Sequence, residues 1–185
     1  MNHEALLDFQ NAQLNKVWGK YAGKVAGNTD PQQMGRLQVM CPAVLGAAQV
    51  WAMPCVPYAG PGVGFYFIPP IGAGVWIEFE GGDVSRAIWS GCYWAKGDLP
   101  PAAISADFKL IVTDKATLTI DDVAGEVVLE NVSRASITWN ADVTTEAGGA
   151  THTVGASGVV SESAPGKVEV GAAGVTINSG AFKVS

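Results

Sequence analysis

Positive charge is scarce in this chain, which has 11 lysines and arginines against 17 aspartates and glutamates in 185 residues. The resulting net charge of −6 repels a phosphate backbone, whose binding requires clustered basic side chains. We therefore expect no nucleic acid among the partners of the protein.

Cysteine is nearly absent, with Cys41, Cys55 and Cys92 at wide spacing and no CxxC pair. An odd number of cysteines without paired spacing argues against a disulfide framework and against a structural zinc site. The sequence predicts three small apolar side chains in a reduced interior.

Long hydrophobic runs are missing as well, and no segment approaches the length of a membrane span. The first eight residues include Glu4 and Asp8 and lack the apolar core of a signal peptide. We therefore expect synthesis in the cytoplasm without a signal peptide.

Glycine is abundant, at 23 residues, and 48% of the chain is hydrophobic, a mixture typical of β-structure with many turns. The stretch from Gly64 to Asp83 reads GFYFIPPIGAGVWIEFEGGD. In it Val75, Ile77 and Phe79 alternate with polar or large residues, which predicts a half-buried strand that ends at a Gly-Gly-Asp turn. The fold class predicted is all-β.

Four further stretches before residue 95 have strand character, and helical spacing over residues 4–18 predicts a short helix in an N-terminal segment, 1–19. Five short strands joined by Gly/Pro turns are the content of a small closed barrel such as an OB-fold, here residues 20–96. The predicted strands are Tyr21–Ala26, Arg36–Met40, Gln49–Val56, the second half of Gly64–Asp83, and Arg86–Trp94.

The composition changes after Trp94, where a Pro-containing linker over residues 97–106 leads into short β-branched runs that fill residues 107–185. The runs recur about every eight to ten residues, as in a β-solenoid or repeat array. Each offers a stripe only two apolar residues wide, which is buried most simply when three copies wrap around a shared axis. The predicted trimer core consists of Leu118, Ile120, Ile137, Trp139, Val168, Val170, Val175 and Ile177.

A family resemblance rests on the run PYAGPGVGFYFIPPIGAGVWIEFEGGDVSRAIWSGCYW from Pro57 to Trp94, with Tyr21–Gly27, the Asp30-Pro31 turn and Gly35-Arg36-Leu37. Over roughly residues 20–95 the chain resembles the OB-fold domain of baseplate spike proteins of the phage baseplate assembly protein V type. These are the central puncturing proteins of contractile phage tails, of phage-like injection particles and, more distantly, of type VI secretion. The layout of residues 107–185 is similar to the family's intertwined trimeric β-helical needle.

The resemblance implies a structural homotrimer assembled into the baseplate of a virion or phage-like injection particle, where it joins a hub protein to a small tip protein. Its needle would pierce the target-cell envelope mechanically. The chain would not be an enzyme and would need no cofactor, since the linker 97–106 leaves no room for the muramidase domain of some relatives.

Particular residues follow as candidates for these contacts. Tyr58, Phe65, Tyr66 and Phe67 are candidates for the hub interface, where exposed aromatic side chains are favoured. Phe182 and Val184 are candidates for the contact with the tip protein. No metal site is predicted, although three copies of His152 around one axis could bind a metal or an anion.

Two alternatives stay open at this point. The first is an OB-type carbohydrate-binding module with a β-rich appendage, in which the same aromatic loop stacks on sugars. The second is an enzyme on a left-handed β-helix, which would need hexapeptide repeats and several histidine ligands, and the sequence has neither.

Overall fold

The computed structural model describes residues 16–101, 105–178 and 182–184. The chain divides into two compact units, residues 1–99 and residues 100–185. We call them the barrel unit and the meander unit.

Within residues 16–99 the barrel unit has seven strands, one short α-helix and a 3₁₀ turn at Glu80–Gly82. In chain order the strands and the α-helix are β1 (Tyr21–Gly27), β2 (Leu37–Met40), α1 (Pro42–Leu45), β3 (Gln49–Pro54), β4 (Ala59–Gly60), β5 (Val63–Gly64), β6 (Gly74–Phe79) and β7 (Ala87–Tyr93). Five of the strands form a closed barrel in the order β1-β2-β3-β7-β6. All neighbours are antiparallel except β3 and β7, whose parallel pairing closes the barrel. The predicted OB-like barrel is confirmed.

The barrel core forms because alternate residues of each strand point inward. Val75, Ile77 and Phe79 of β6 are buried, whereas Trp76, on the outside, packs against Tyr93 with ring centroids 5.0 Å apart and the rings tilted at 47°. The rest of the core comes from the other four barrel strands and the residue before α1: Val25, Leu37, Val39, Cys41, Ala52, Ala87 and Trp89.

Several details of the barrel unit differ from the sequence predictions. Helix α1 and the small hairpin of β4 and β5 were not predicted, because four-residue and two-residue elements carry no periodic signal. Strand β3 ends at Pro54 rather than at residue 56, since proline cannot donate a ladder hydrogen bond. The predicted helix at residues 4–18 lies outside the described residues except for 16–18, which are not helical.

The cysteine prediction is correct for one residue only. Cys41 is buried in the barrel core, and burial raises the pKa of its thiol. Cys55 and Cys92 are exposed. All three are free thiols, and the wide sequence spacing gave no indication of which one faces the core.

The meander unit is a ten-stranded antiparallel sheet in which each strand pairs with the next along the chain. Its strands are β8 (Phe108–Val112), β9 (Ala116–Asp121), β10 (Glu126–Asn131), β11 (Ser136–Trp139), β12 (Val143–Ala147), β13 (Ala150–Gly155), β14 (Gly158–Ser163), β15 (Gly166–Gly171), β16 (Gly174–Ile177) and β17 (Phe182–Val184). The predicted run of short strands is thus present. Within one chain they form a meander of hairpins, and the trimeric β-helix stays a prediction.

The two units differ in how they bury apolar surface. All the buried hydrophobic side chains found among the described residues belong to the barrel unit. The meander unit has strands of three to six residues, and none of the apolar side chains described in it is fully buried. A single copy of this sheet therefore has two accessible faces and no core of its own.

Candidate interaction surfaces

A carboxylate clamp fixes the turn between β1 and β2. Both carboxylate oxygens of Asp30 accept hydrogen bonds from the Arg36 guanidinium, the closest at 2.7 Å, and one accepts the backbone N–H of Met34 at 2.8 Å. The pKa of the Asp30 carboxyl lies well below its usual range, mainly because Arg36 donates these hydrogen bonds to the carboxylate. The guanidinium also lies over the ring of Trp51, 5.0 Å from its centroid.

This clamp connects two pieces of the sequence that carried the family resemblance, the Asp30-Pro31 turn and the Gly35-Arg36-Leu37 segment. Its side chains are largely shielded, with 5% of Asp30 and 16% of Arg36 exposed. The sequence analysis did not predict that Asp30 and Arg36 pair. Their opposite charges, six residues apart on the two sides of a turn, could have indicated it.

The aromatic hairpin is the most exposed apolar feature of the barrel unit. It comprises Tyr58, the strands β4 and β5, and Phe65, Tyr66 and Phe67, and between 54% and 78% of each of these four aromatic residues is exposed. The backbone N–H of Phe65 donates to the carbonyl oxygen of Tyr58 at 2.9 Å and closes the hairpin. The structure thus brings all four candidate hub contacts to one hairpin.

A shallow depression of about 410 Å³ lies beside the aromatic hairpin, and its lining includes Phe65, Tyr66 and Phe67 of the hairpin together with Gln33, Met34, Ile68 and Trp89. Its lining is mainly apolar, which suits contact with another protein or the face of a sugar ring.

The apolar face of the meander unit is defined by the strand register. Directly paired residues of antiparallel strands point to the same side of the sheet. One row across the sheet is formed by Ile120, Val127, Trp139, Val143, Val154, Val159, Val170 and Val175. A second row beside it is formed by Ile111, Leu118, Leu129, Ile137, Thr145, His152, Ser161, Val168, Ile177 and Phe182.

All eight residues proposed from the sequence as trimer core lie in these two rows. Each is partly accessible in the single chain, with Trp139 at 41% and Val170 at 44% exposure. The rows also contain apolar residues that the sequence analysis did not name, among them Val127, Leu129 and Val154. A strand-by-strand alternation count over those runs could have found them.

The opposite face is mostly polar from β11 to β16. It includes Thr138, Thr144, Thr153, Glu169 and Thr176. Each of these residues is directly paired with the next, except that one strand, β14, lies between Thr153 and Glu169. The hydroxyl groups of Thr144 and Thr153 are 3.1 Å apart and hydrogen bonded. From β11 to β16 the meander unit therefore has one mainly apolar and one mainly polar face.

His152 lies on the apolar face, in the second row, between Thr145 and Ser161. Its Nδ1 is hydrogen bonded to the Ser161 Oγ at 2.7 Å. These three residues, which we call the polar row, are the one polar interruption of the second row within the described strands. The sequence analysis considered His152 alone because its neighbours are seven and nine residues away along the chain.

The last described strand, β17, pairs with β16 and places Phe182 opposite Ile177 at the end of the second row. Phe182 is 57% exposed. The backbone of Val184 pairs with that of Val175.

The barrel segment also has a match among known families. Residues 21–94 match the model of the type VI secretion system/phage-baseplate injector OB domain. This segment belongs to that family. The match begins at the first residue of β1 and ends one residue after β7, so the injector OB domain coincides with the closed barrel. No curated protein matches the chain.

The match confirms the resemblance to baseplate spike proteins that was seen in the sequence. It assigns the injector OB domain a structural role in the baseplate of a phage or injection particle. The meander unit lies outside the matched residues, so its role rests on its own geometry.

The described residues contain neither a metal-binding cluster nor a membrane-spanning helix. No cluster of three or more His, Cys, Asp or Glu side chains suited to a metal ion occurs among them. No helix within residues 16–101, 105–178 and 182–184 is long and apolar enough to cross a membrane.

Proposed function

We propose that this chain is the central spike of a contractile-tail or injection-particle baseplate, in which the injector OB domain sits on a hub and the meander unit forms a needle with two further copies. The observation that supports this most is the apolar face. Its first row runs from β9 to β16, in a sheet whose described hydrophobic side chains are all at least partly accessible.

Association of copies through the apolar face would supply the missing core. The two rows are one residue wide each; the first runs from β9 to β16 and the second from β8 to β17 with the polar residues of β12 to β14 in it, so the exposed area grows with strand number while the sheet stays narrow. Wrapping such stripes around a common axis removes them from water and leaves the threonine-rich face outside. Three copies are proposed because the spikes that the barrel resembles are trimeric.

A needle of this kind would act mechanically. The strands are short, and each already pairs its backbone with the next strand along the chain. Packing three such sheets would protect the existing ladders from water and add contacts along the whole axis. A fibre with satisfied backbone groups resists bending, which is the property that envelope piercing requires.

The partners would lie at the two ends of the proposed spike. The aromatic hairpin, with Tyr66 78% exposed, would dock on the hub. Phe182 and Val184 in β17 would meet a small tip protein. Deleting residues 180–185 should then abolish co-purification with the tip protein, whereas undiminished recovery would remove it as a partner.

The oligomeric state tests the proposal most directly. The chain mass is 19.1 kDa, so light scattering should report three times that mass. The same mass should survive incubation in detergent without boiling, because a shared core unfolds only when all copies separate. A monomer of 19.1 kDa would refute the spike.

A carbohydrate-binding module is the second candidate, and the exposed aromatic hairpin is the observation that favours it. A Tyr66→Ala variant separates the two functions. Loss of glycan binding by a monomeric protein would support the module, whereas loss of hub binding by an intact trimer would support the spike.

A further inference from the structure

The polar row lies in the middle of the otherwise apolar second row, and this position restricts which surface can cover the apolar face. Thr145, His152 and Ser161 occupy the second row on the consecutive strands β12, β13 and β14. Ile137 precedes them on β11, and Val168 and Ile177 follow them on β15 and β16. Any surface that covers the stripe must therefore present polar groups at one level and apolar groups above and below it.

We propose that the polar row sets the alignment of identical copies along the needle, so that the occupant of the apolar face is another copy of this chain placed at the same level. The inference rests on the proposed function, because it specifies how the copies of the spike recognise one another. Because the copies are identical, placing them at the same level along the axis also places their polar rows at the same level.

The hydrogen bonds of the polar row support this arrangement. The Ser161 Oγ engages the Nδ1 of His152, which leaves Nε2 as the ring nitrogen that can bond to another copy. The Thr145 hydroxyl is 3.5 Å from the His152 carbonyl oxygen, so it too can turn towards a neighbour. In a shared core these groups would find partners on the same row of the other chains.

A displaced alignment would lack those partners. If one copy slipped along the axis by a few strands, its histidine and serine would face Ile137 or Val168 of its neighbour. Buried polar groups without hydrogen bonds are strongly disfavoured, whereas apolar rows alone tolerate slippage because each valine can replace another. A buried polar residue is the best-attested device for fixing register in repetitive assemblies.

The chain offers a matched pair of variants for the test. T145V/H152V/S161V converts the polar row into three valines on the apolar face. T144V/T153V makes a matching row of three valines on the opposite face of the same strands. Only two substitutions are needed there, because the residue paired with Thr153 on β14 is already Val160. Both variants remove a cross-strand hydrogen bond between side chains and put valine in place of polar residues, and the face that changes is the difference under test.

Spin labels report the alignment of copies in the full-length protein. A Val123→Cys substitution places the label in the turn after β9, where Val123 is 80% exposed, in a background with Cys55→Ser and Cys92→Ser. Electron–electron distance measurements should give one narrow copy-to-copy distance for the otherwise unchanged protein and for T144V/T153V. T145V/H152V/S161V should assemble but give several distances, while H152Q, which keeps a hydrogen-bonding group, should retain one.

The outcomes are separable. One narrow distance in T145V/H152V/S161V, at the unchanged value, would overturn the alignment role while leaving the spike intact. Several distances in T144V/T153V as well would also overturn it, since any change in these strands would then disturb alignment. A monomeric protein without an inter-copy distance would overturn the proposed function itself.

Discussion

Replacing Val170 with aspartate should dissociate the assembly, whereas the same replacement at Thr176 should not. Val170 lies on the apolar face beside Val159 and Val175, and Thr176 lies on the opposite face beside Glu169. Both substitutions add one negative charge to a partly accessible strand position. In a single chain both effects should be small, with T176D the more costly of the two by up to about 1 kcal/mol, because it places a carboxylate directly opposite Glu169.

The expected effect in a trimer follows from the exposed fraction of Val170. Complete burial of a valine is worth about 1.5–3 kcal/mol, so covering the 44% that is exposed contributes roughly 0.7–1.3 kcal/mol per chain. Losing it in three chains weakens the assembly by about 2–4 kcal/mol, or roughly 30- to 700-fold. Burying three carboxylates adds several kcal/mol for each ion. A trimer of V170D should not form at micromolar concentration.

Light scattering and unboiled detergent gels on both variants measure this difference. T176D should keep three times the chain mass, and V170D should fall to 19.1 kDa while the barrel stays folded. Equal trimer stability of the two variants would refute the assignment of the apolar face as the shared core. Equal loss in both would show that the sheet tolerates no charge on either face.

Three further predictions concern the barrel unit and use urea unfolding as the measurement. Ile77→Ala removes a fully buried core side chain and should lower the free energy of unfolding by about 2–5 kcal/mol; a loss below 1 kcal/mol would contradict the closed barrel. Gly74→Ala should cost about 1–3 kcal/mol, because its Cβ would lie 2.6 Å from the Tyr93 ring and 2.8 Å from its carbonyl oxygen. An unchanged midpoint would exclude this close approach. Arg36 lowers the pKa of Asp30 in the folded protein, so the ionised Asp30 stabilises the fold. This stabilisation is complete above the pKa of aspartate in the unfolded chain, about 3.9, and is lost as the pH falls through the lower pKa of the folded protein. The stability gap between the parent and Asp30→Asn should therefore narrow below about pH 4, and a gap that is constant with pH would refute the clamp.

The barrel was predictable from local patterns because inward and outward residues alternate over much of β1, β2 and β6. Val75, Ile77 and Phe79 are inward residues in both the pattern and the structure, and turn residues separate the strands. Strand ends were less predictable, since they depend on where a neighbouring strand stops offering hydrogen bonds. The β3–β7 parallel closure, with only two residue pairs, leaves no trace in either strand alone.

The candidate surfaces depended more on tertiary structure. The sequence placed four aromatic residues close together, and folding gathered them on one exposed hairpin. The hydrogen bonds between Asp30 and Arg36 were likewise not predicted from the sequence and became evident only in the folded structure. The two exposed cysteines were wrongly assigned to the interior because exposure depends on which strand covers which face.

The amino-acid sequence by itself determined the β-class, the change of composition after the barrel and the two-residue apolar stripe, because these follow from period-2 patterning and turn residues. Only the tertiary structure decided which residues share a row. Register between strands sets that choice, and a shift of one residue would turn every side chain to the other face. It is this register that brought Thr145, His152 and Ser161 side by side from positions up to sixteen residues apart.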